Sequence, residues 1–203
     1  MQISSILPKK GNVPRPVLLF LVKGVLLFVL WKSLYLFALK PGRVVDRPLT
    51  HSLSVATAVV LNFFNPVHPY SAADAVENIP GEDATASYEV AKIYRNYPAQ
   101  PGKEEVLSIG DACNALEVMI LYVGFIICFP APLSRKLAYI PAGLVLICLL
   151  NILRCAALAG IAIHFKSYFD LAHHFAFTFV VYALIFFLWY RFSKIPVSHG
   201  RSV

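Results

Sequence analysis

Four apolar runs, at 17–39, 115–129, 138–163 and 171–190, dominate this chain of 203 residues and decide what it can fold into. A bilayer core is crossed by about 20 predominantly apolar residues in a helix, and three of the runs reach or exceed that length. Composition agrees: 58% of residues are hydrophobic and only 14% charged, against about 45–50% and about 25% in ordinary soluble domains. The expected fold is therefore an all-α polytopic membrane protein. The run 17–39 is too long for a signal-peptide core of about 7–15 residues and is read as a retained first span. Segment 49–64, dotted with His51, Ser52, Ser54 and Thr57, is shorter and less apolar. Its spacing of Leu49, Leu53, Ala56 and Val60 predicts an interfacial or re-entrant helix. About four transmembrane helices plus this one are expected.

Charge gives the orientation. Segment 65–112 holds eight acidic residues, among them Asp74, Glu89, Glu104, Glu105 and Asp111, against Lys92, Arg95 and Lys103. The loop with Arg135 and Lys136 and the tail with Arg191, Lys194 and Arg201 are basic, as are Lys9, Lys10 and Arg15. Positive loops favour the cytoplasm, so 65–112 is predicted to lie outside and both termini inside. Lys40, Arg43 and Arg47 dissent, and a crossing by 49–64 would place the N-terminus outside without altering the later spans. Partial alternation at 87–95, a short apolar stretch at 105–109 and a Pro/Gly-rich cluster at 98–102 between them predict a small β-hairpin. The net charge of +7 is then topology, and no nucleic-acid partner is expected. Four organisational units follow: an anchor with interfacial helix (1–64), the acidic extracytoplasmic segment (65–112), a helical core (113–192) and a cytoplasmic tail (193–203).

Ionisable side chains inside a span each cost about 2.5–3.5 kcal/mol and need a reason. Arg154 lies nine residues before the end of its run, about 13 Å deep at 1.5 Å per residue. Asn151 shares its helix face. His174 lies in the first turn of the last span, Cys113 at the mouth of the third, and Glu117 one turn further in. Across three helices of alternating direction, Cys113, Arg154 and His174 are predicted to reach one depth near the outer surface. A thiol, a guanidinium and an imidazole supply a nucleophile, an anion stabiliser and a general acid/base, the parts that acyl transfer requires. Glu117 is expected to neutralise Arg154, and Asn151 to hold a neighbouring helix. Cys128, Cys148 and Cys155, with His51, His68 and His164, are read as packing or interfacial residues. With no CxxC pair, a thiolate metal cage is not expected, and no metal or organic cofactor is required.

Gly110-Asp111-Ala112-Cys113-Asn114-Ala115-Leu116, then Asn151-Ile-Leu-Arg154, then His173-His174-Phe-Ala-Phe-Thr resemble, in order and spacing, the exosortase/archaeosortase family of membrane transpeptidases. That family shows Ala-Cys-x-Gly, Asn-x-x-Arg and a His opening a following span. The resemblance covers 106–192 and loosely includes 46–64. It implies a cysteine transpeptidase or protease that cuts C-terminal sorting signals of exported proteins on the outer face of a bacterial or archaeal cytoplasmic membrane. Such a substrate ends in a short motif, a transmembrane helix and a basic tail. The family's nucleophile falls on Cys113, its Arg on Arg154 and its His on His174. Two positions depart from the pattern: Ala115 stands where the family has Gly, and His173 where it often has Asp before its His. A different class remains open, a non-enzymatic membrane subunit or small transporter using Arg154 as a pathway charge.

Overall fold

The computed structural model describes residues 15–78, 87–97 and 102–194. Residues 1–14, 79–86, 98–101 and 195–203 lie outside these, among them most of the Pro/Gly-rich cluster expected to turn the hairpin. Helix α1 (Arg15–Leu34) runs on through a π-helical turn (Tyr35–Leu39). The apolar stretch Val17–Leu39 is 23 residues, about 35 Å at 1.5 Å per residue, and its side chains are largely exposed, as suits a lipid-facing helix. Among the described residues three helices are long and apolar enough to cross a membrane: this one, Leu133–His164 and Lys166–Lys194.

The expected span at 115–129 is α3 (Leu116–Cys128), apolar but only 13 residues, about 20 Å. It packs against α1 and α4 (Leu133–His164). The Lys166–Lys194 segment is built in pieces: a 3₁₀ turn (Lys166–Tyr168), the single turn α5 (Phe169–Leu171), a π-helical turn (Ala172–Ala176) and α6 (Phe177–Lys194).

Helix α2 (Asp46–Phe64) carries Pro48 in its first turn, where a missing N–H costs nothing, and Asp46 at the end where the helix dipole favours an anion. It is not apolar enough to count among the crossing helices. The face it buries is Asp46, Thr50, Leu53, Ser54, Thr57 and Ala58, a stripe of small and polar residues at helical spacing. The apolar repeat therefore marks only part of the packed surface. Small side chains let α2 approach α4 closely, and the Ser54 and Thr57 hydroxyls donate to the carbonyls of His51 and Leu53 within the helix itself.

The acidic segment forms an antiparallel sheet of order β1-β2-β3, one strand more than the hairpin. Strands β2 (Ser87–Asn96) and β3 (Lys103–Ile109) are that hairpin, with Val106 bulging between the Ile93–Leu107 and Tyr94–Glu105 pairs. Strand β1 (Tyr70–Asn78) is rich in Ala and has little β-propensity of its own. It is pinned from outside: the Asn62 carboxamide donates to Tyr70 O (3.0 Å) and accepts from Tyr70 N (2.6 Å), and β2 pairs along its whole length. Ile93, Leu107 and Ile109 bury against Leu53 and Ala58 of α2 and Cys155, Leu158 and Ala159 of α4. The sheet thus caps one half of α4.

Around the other half a second core gathers Tyr122, Ile126, Ile147 and Phe192, with Phe125 stacked on Trp189 at 4.4 Å. Tyr122 is fully buried and donates to Tyr139 O at 2.7 Å. Its ring occupies the space over Gly143, where a Cβ would lie 2.2 Å from it. Gly143→Ala is therefore expected to destabilise the chain by about 1–3 kcal/mol through overpacking. Gly160→Ala on the same helix, with no atom within 4 Å of its Cβ, should be neutral or stabilising by up to about 1 kcal/mol. Thermal unfolding in detergent checks the pair. Equal midpoints for the two variants would contradict this packing.

Candidate active site

Cys113 ends a 3₁₀ turn (Asp111–Cys113) between β3 and α3. Gly110 is extended, Asn114 is helical, and Ala115 takes φ 63° and ψ 12°, the left-handed region that favours glycine. This reversal aims the chain from the sheet into α3 and leaves the turn against α4. There the buried Asn151 donates from Nδ2 to Cys113 O at 2.8 Å. In place of the expected hold on a neighbouring helix, Asn151 holds the backbone of the cysteine turn.

The Cys113 thiol lies 3.5 Å from Nε2 of His173. His173 belongs to the π-helical turn and is stacked on Phe169, four residues earlier, with centroids 5.9 Å apart and planes 3° from parallel. The sequence expectation for this position is His174. The structure gives it to His173 and leaves His174 exposed, edge-on to its neighbour at 4.8 Å. Adjacent helical residues point about 100° apart, so only one of the two imidazoles can face the thiol. The wider π turn settles which, and π turns of this kind leave no mark in hydrophobic spacing.

Arg154 lies one turn beyond Asn151 on α4. Its Nη1 donates weakly to Asn151 Oδ1 at 3.5 Å, and its Nε is buried with no hydrogen-bond partner. The expected pairing with Glu117 is absent. Glu117 is largely exposed and bonds Lys32 of α1 at 2.5 Å. Among the described residues Arg154 makes no ion pair with a carboxylate. A guanidinium with unfilled donors in such a setting is suited to receiving an anion.

Cys113, His173 and Arg154 line one cavity of about 190 Å³, walled by Leu107 and Ile109 of β3, Cys155 and Leu158 of α4, and Phe169. A larger groove of about 810 Å³ runs between α1, α3 and α6, apolar along Phe20, Leu27, Phe28 and Phe125 and polar where Asp46, Asn114, Glu117 and Asn151 meet. Arg154 borders both spaces. Cys128 and Cys148 stand apart from the small cavity, and Cys155 lies in its wall with a residual exposure of 2%. No group of three or more His, Cys, Asp or Glu among the described residues is placed to hold a metal ion.

Sequence reasoning missed the supports. Arg43, at φ 47°, grips Asp111 with two bonds (Nε to Oδ2, 3.0 Å; Nη2 to Oδ1, 2.6 Å), and Thr50 adds a third at 3.3 Å. The buried Asp46 accepts from Tyr35 and Asn114. The one available signal was the excess of cations at 40–47, read as a topological anomaly. Arg43 is in fact spent on an ion pair with the cysteine loop.

Comparison with protein-family models, with curated proteins and with solved structures finds no match to this chain. The left-handed residue yields a prediction that needs no substrate. Holding an L residue in that region costs roughly 1–2 kcal/mol, so Ala115→Gly should raise stability by about 1 kcal/mol. An upward shift of the thermal midpoint in detergent is expected, and a downward shift would contradict the backbone described for this loop.

Proposed function

We propose that the chain is a membrane-embedded cysteine transpeptidase or protease of exosortase/archaeosortase type, working through Cys113, His173 and Arg154. The observation that carries the reading is the 3.5 Å approach of the Cys113 thiol to His173 inside a cavity that Arg154 also lines. His173 takes the thiol proton as the sulfur attacks a peptide carbonyl. The oxygen gains charge and is met by the unfilled donors of Arg154, which act strongly where water is scarce. The imidazolium then returns its proton to the departing amine, the C–N bond breaks, and a thioester remains on Cys113. An amine acceptor, or water, attacks the thioester and releases the thiol. His173 replaces His174 in this scheme because it is the imidazole at the thiol. His174 keeps at most a supporting role.

The two spaces meeting at Arg154 suit an exported protein whose reacting bond lies beside an apolar helix. The motif side of the bond occupies the 190 Å³ cavity and the helix side the larger groove, with the scissile carbonyl at the guanidinium. On this reading α3 is the fourth, shortened membrane helix, α2 lies in the interface, and the sheet and Cys113 face the extracytoplasmic side of a bacterial or archaeal cytoplasmic membrane. The groove beside Arg154 also favours a second reading, a small transporter or non-enzymatic subunit with Arg154 as its pathway charge. That reading leaves the thiol–imidazole contact without a use.

Turnover of a sorting-signal substrate in membranes, with expression matched, separates the readings. Cys113→Ala should abolish it, and His173→Ala should lower it about 10²- to 10⁴-fold, the usual worth of a general acid/base. His174→Ala should be mild. Arg154→Lys should lose about 10²- to 10³-fold, because an ammonium does not reproduce the guanidinium fork. Normal turnover in Cys113→Ala would exclude the enzyme reading, and a severe loss in His174→Ala with a mild one in His173→Ala would reverse the choice of imidazole.

A further inference from the structure

We propose that Asp46 is a positioning residue for Cys113, acting through Asn114, so that the N-terminus of α2 sets the thiol against its imidazole. This rests on the reading of Cys113 as nucleophile. Asp46 is 1% exposed, and no Lys or Arg pairs with it among the described residues. Its two oxygens are each taken by a neutral donor: Oδ2 by the Tyr35 hydroxyl (2.9 Å) and Oδ1 by Asn114 Nδ2 (2.8 Å). A buried carboxylate without a cation is costly, and the N-terminus of α2 at which it stands offsets only part of that cost, so packing alone would favour a neutral residue at this site. What a carboxylate offers is two acceptors and no donor.

Asn114 transmits the contact. Its Oδ1 accepts from Leu116 N at 2.9 Å, which fixes the orientation of the amide and turns Nδ2 toward Asp46, with Thr50 Oγ1 at 3.4 Å. Asn114 follows Cys113 directly. Two residues before the cysteine, Asp111 is held by Arg43 and Thr50. Segment 43–50 thus grips the loop on both sides of Cys113, while Asn151 grips its carbonyl from α4. Tyr35, the outer partner of Asp46, sits in one π-helical turn and His173 in another, so both irregular turns bear on this one loop. A displacement of about 1 Å at a reacting atom can cost about 10²-fold in rate, which is the scale on which such a grip matters.

The contact has a donor–acceptor sense that can be reversed. In Asn114→Asp, two carboxylates face each other across the 2.8 Å contact and the loop is pushed away. In Asp46→Asn, the new amide can turn its nitrogen to the Tyr35 oxygen, which accepts, and keep its own oxygen for Asn114. In the double variant, Asn at 46 donates to Asp at 114, whose other oxygen still accepts from Leu116 N. The experiment follows alkylation of Cys113 by iodoacetamide at pH 7 in the full chain in nanodiscs, read by mass spectrometry, with the thermal midpoint measured beside it. Asn114→Asp should slow Cys113 by about 10²-fold, the loss of a general base. Asp46→Ala, which removes the acceptor of the Asn114 amide, should slow it by a similar factor, and the double variant Asp46→Asn/Asn114→Asp should recover most of the rate.

A role in folding alone predicts otherwise, since a loosened loop exposes the thiol and speeds alkylation. Unchanged or faster labelling of Asn114→Asp overturns the proposal. Should that variant not fold, a double variant that folds and labels at near wild-type rate supports it, and one that fails as well overturns it. The outcome is separable from that of the proposed function: a chain that shows the full labelling pattern but cleaves no sorting-signal substrate loses its enzymatic reading and keeps its clamp.

Discussion

A polar group set inside an apolar helix bundle must find a hydrogen-bonding partner or destabilise the fold, and the arrangement around Cys113 follows from that requirement. Asn151 shows it most directly. Its amide is buried on a helix otherwise facing apolar neighbours, and the partner it finds is the Cys113 carbonyl. That bond draws the loop between sheet and α3 onto α4, one turn from Arg154. The same pressure acts on Asn114, Asp46, Thr50 and Asp111, which satisfy one another and leave the loop little freedom. Under the proposed function, a thiol held this way needs little reorganisation to react.

Arg154 is the exception that gives the network its meaning. The three carboxylates that line the larger groove with it are engaged elsewhere: Asp111 by Arg43, Glu117 by Lys32, and Asp46 by Tyr35 and Asn114. Among the described residues the guanidinium keeps one weak bond and a bare Nε. A fully neutralised arginine would be a structural ion pair. One left with open donors, bordering both a small cavity and a large groove, is placed to meet charge that arrives with, or develops on, a bound molecule.

Much of this architecture is legible in the sequence because long apolar runs admit few readings. The runs at 17–39, 138–163 and 171–190 correspond to the three helices long enough to cross a membrane, and the two halves of the hairpin fall within β2 and β3. Strand β1 is not legible, since its pairing is imposed by β2 and by Asn62 and not by its own alternation. The buried stripe of α2 is hidden for the opposite reason, its packed residues being small and polar. Cys113, Arg154 and Asn151, singled out by residue type and expected depth, lie together in the structure. Glu117 is placed with the wrong cation because Lys32 is 85 residues away, a distance over which local spacing carries no information. The choice between His173 and His174 turns on the register of a single π-helical turn.

The proposed function requires that Cys113 form a covalent bond to substrate. Its most direct test is to mix the membrane-embedded chain with a sorting-signal substrate, quench in acid within one turnover, and weigh the Cys113 peptide. An added mass equal to the N-terminal cleavage fragment less one water is expected, removable by hydroxylamine as a thioester should be, and absent from Cys113→Ala. Substrate cleaved with no adduct on Cys113, or with the adduct on Cys128, Cys148 or Cys155, would contradict it.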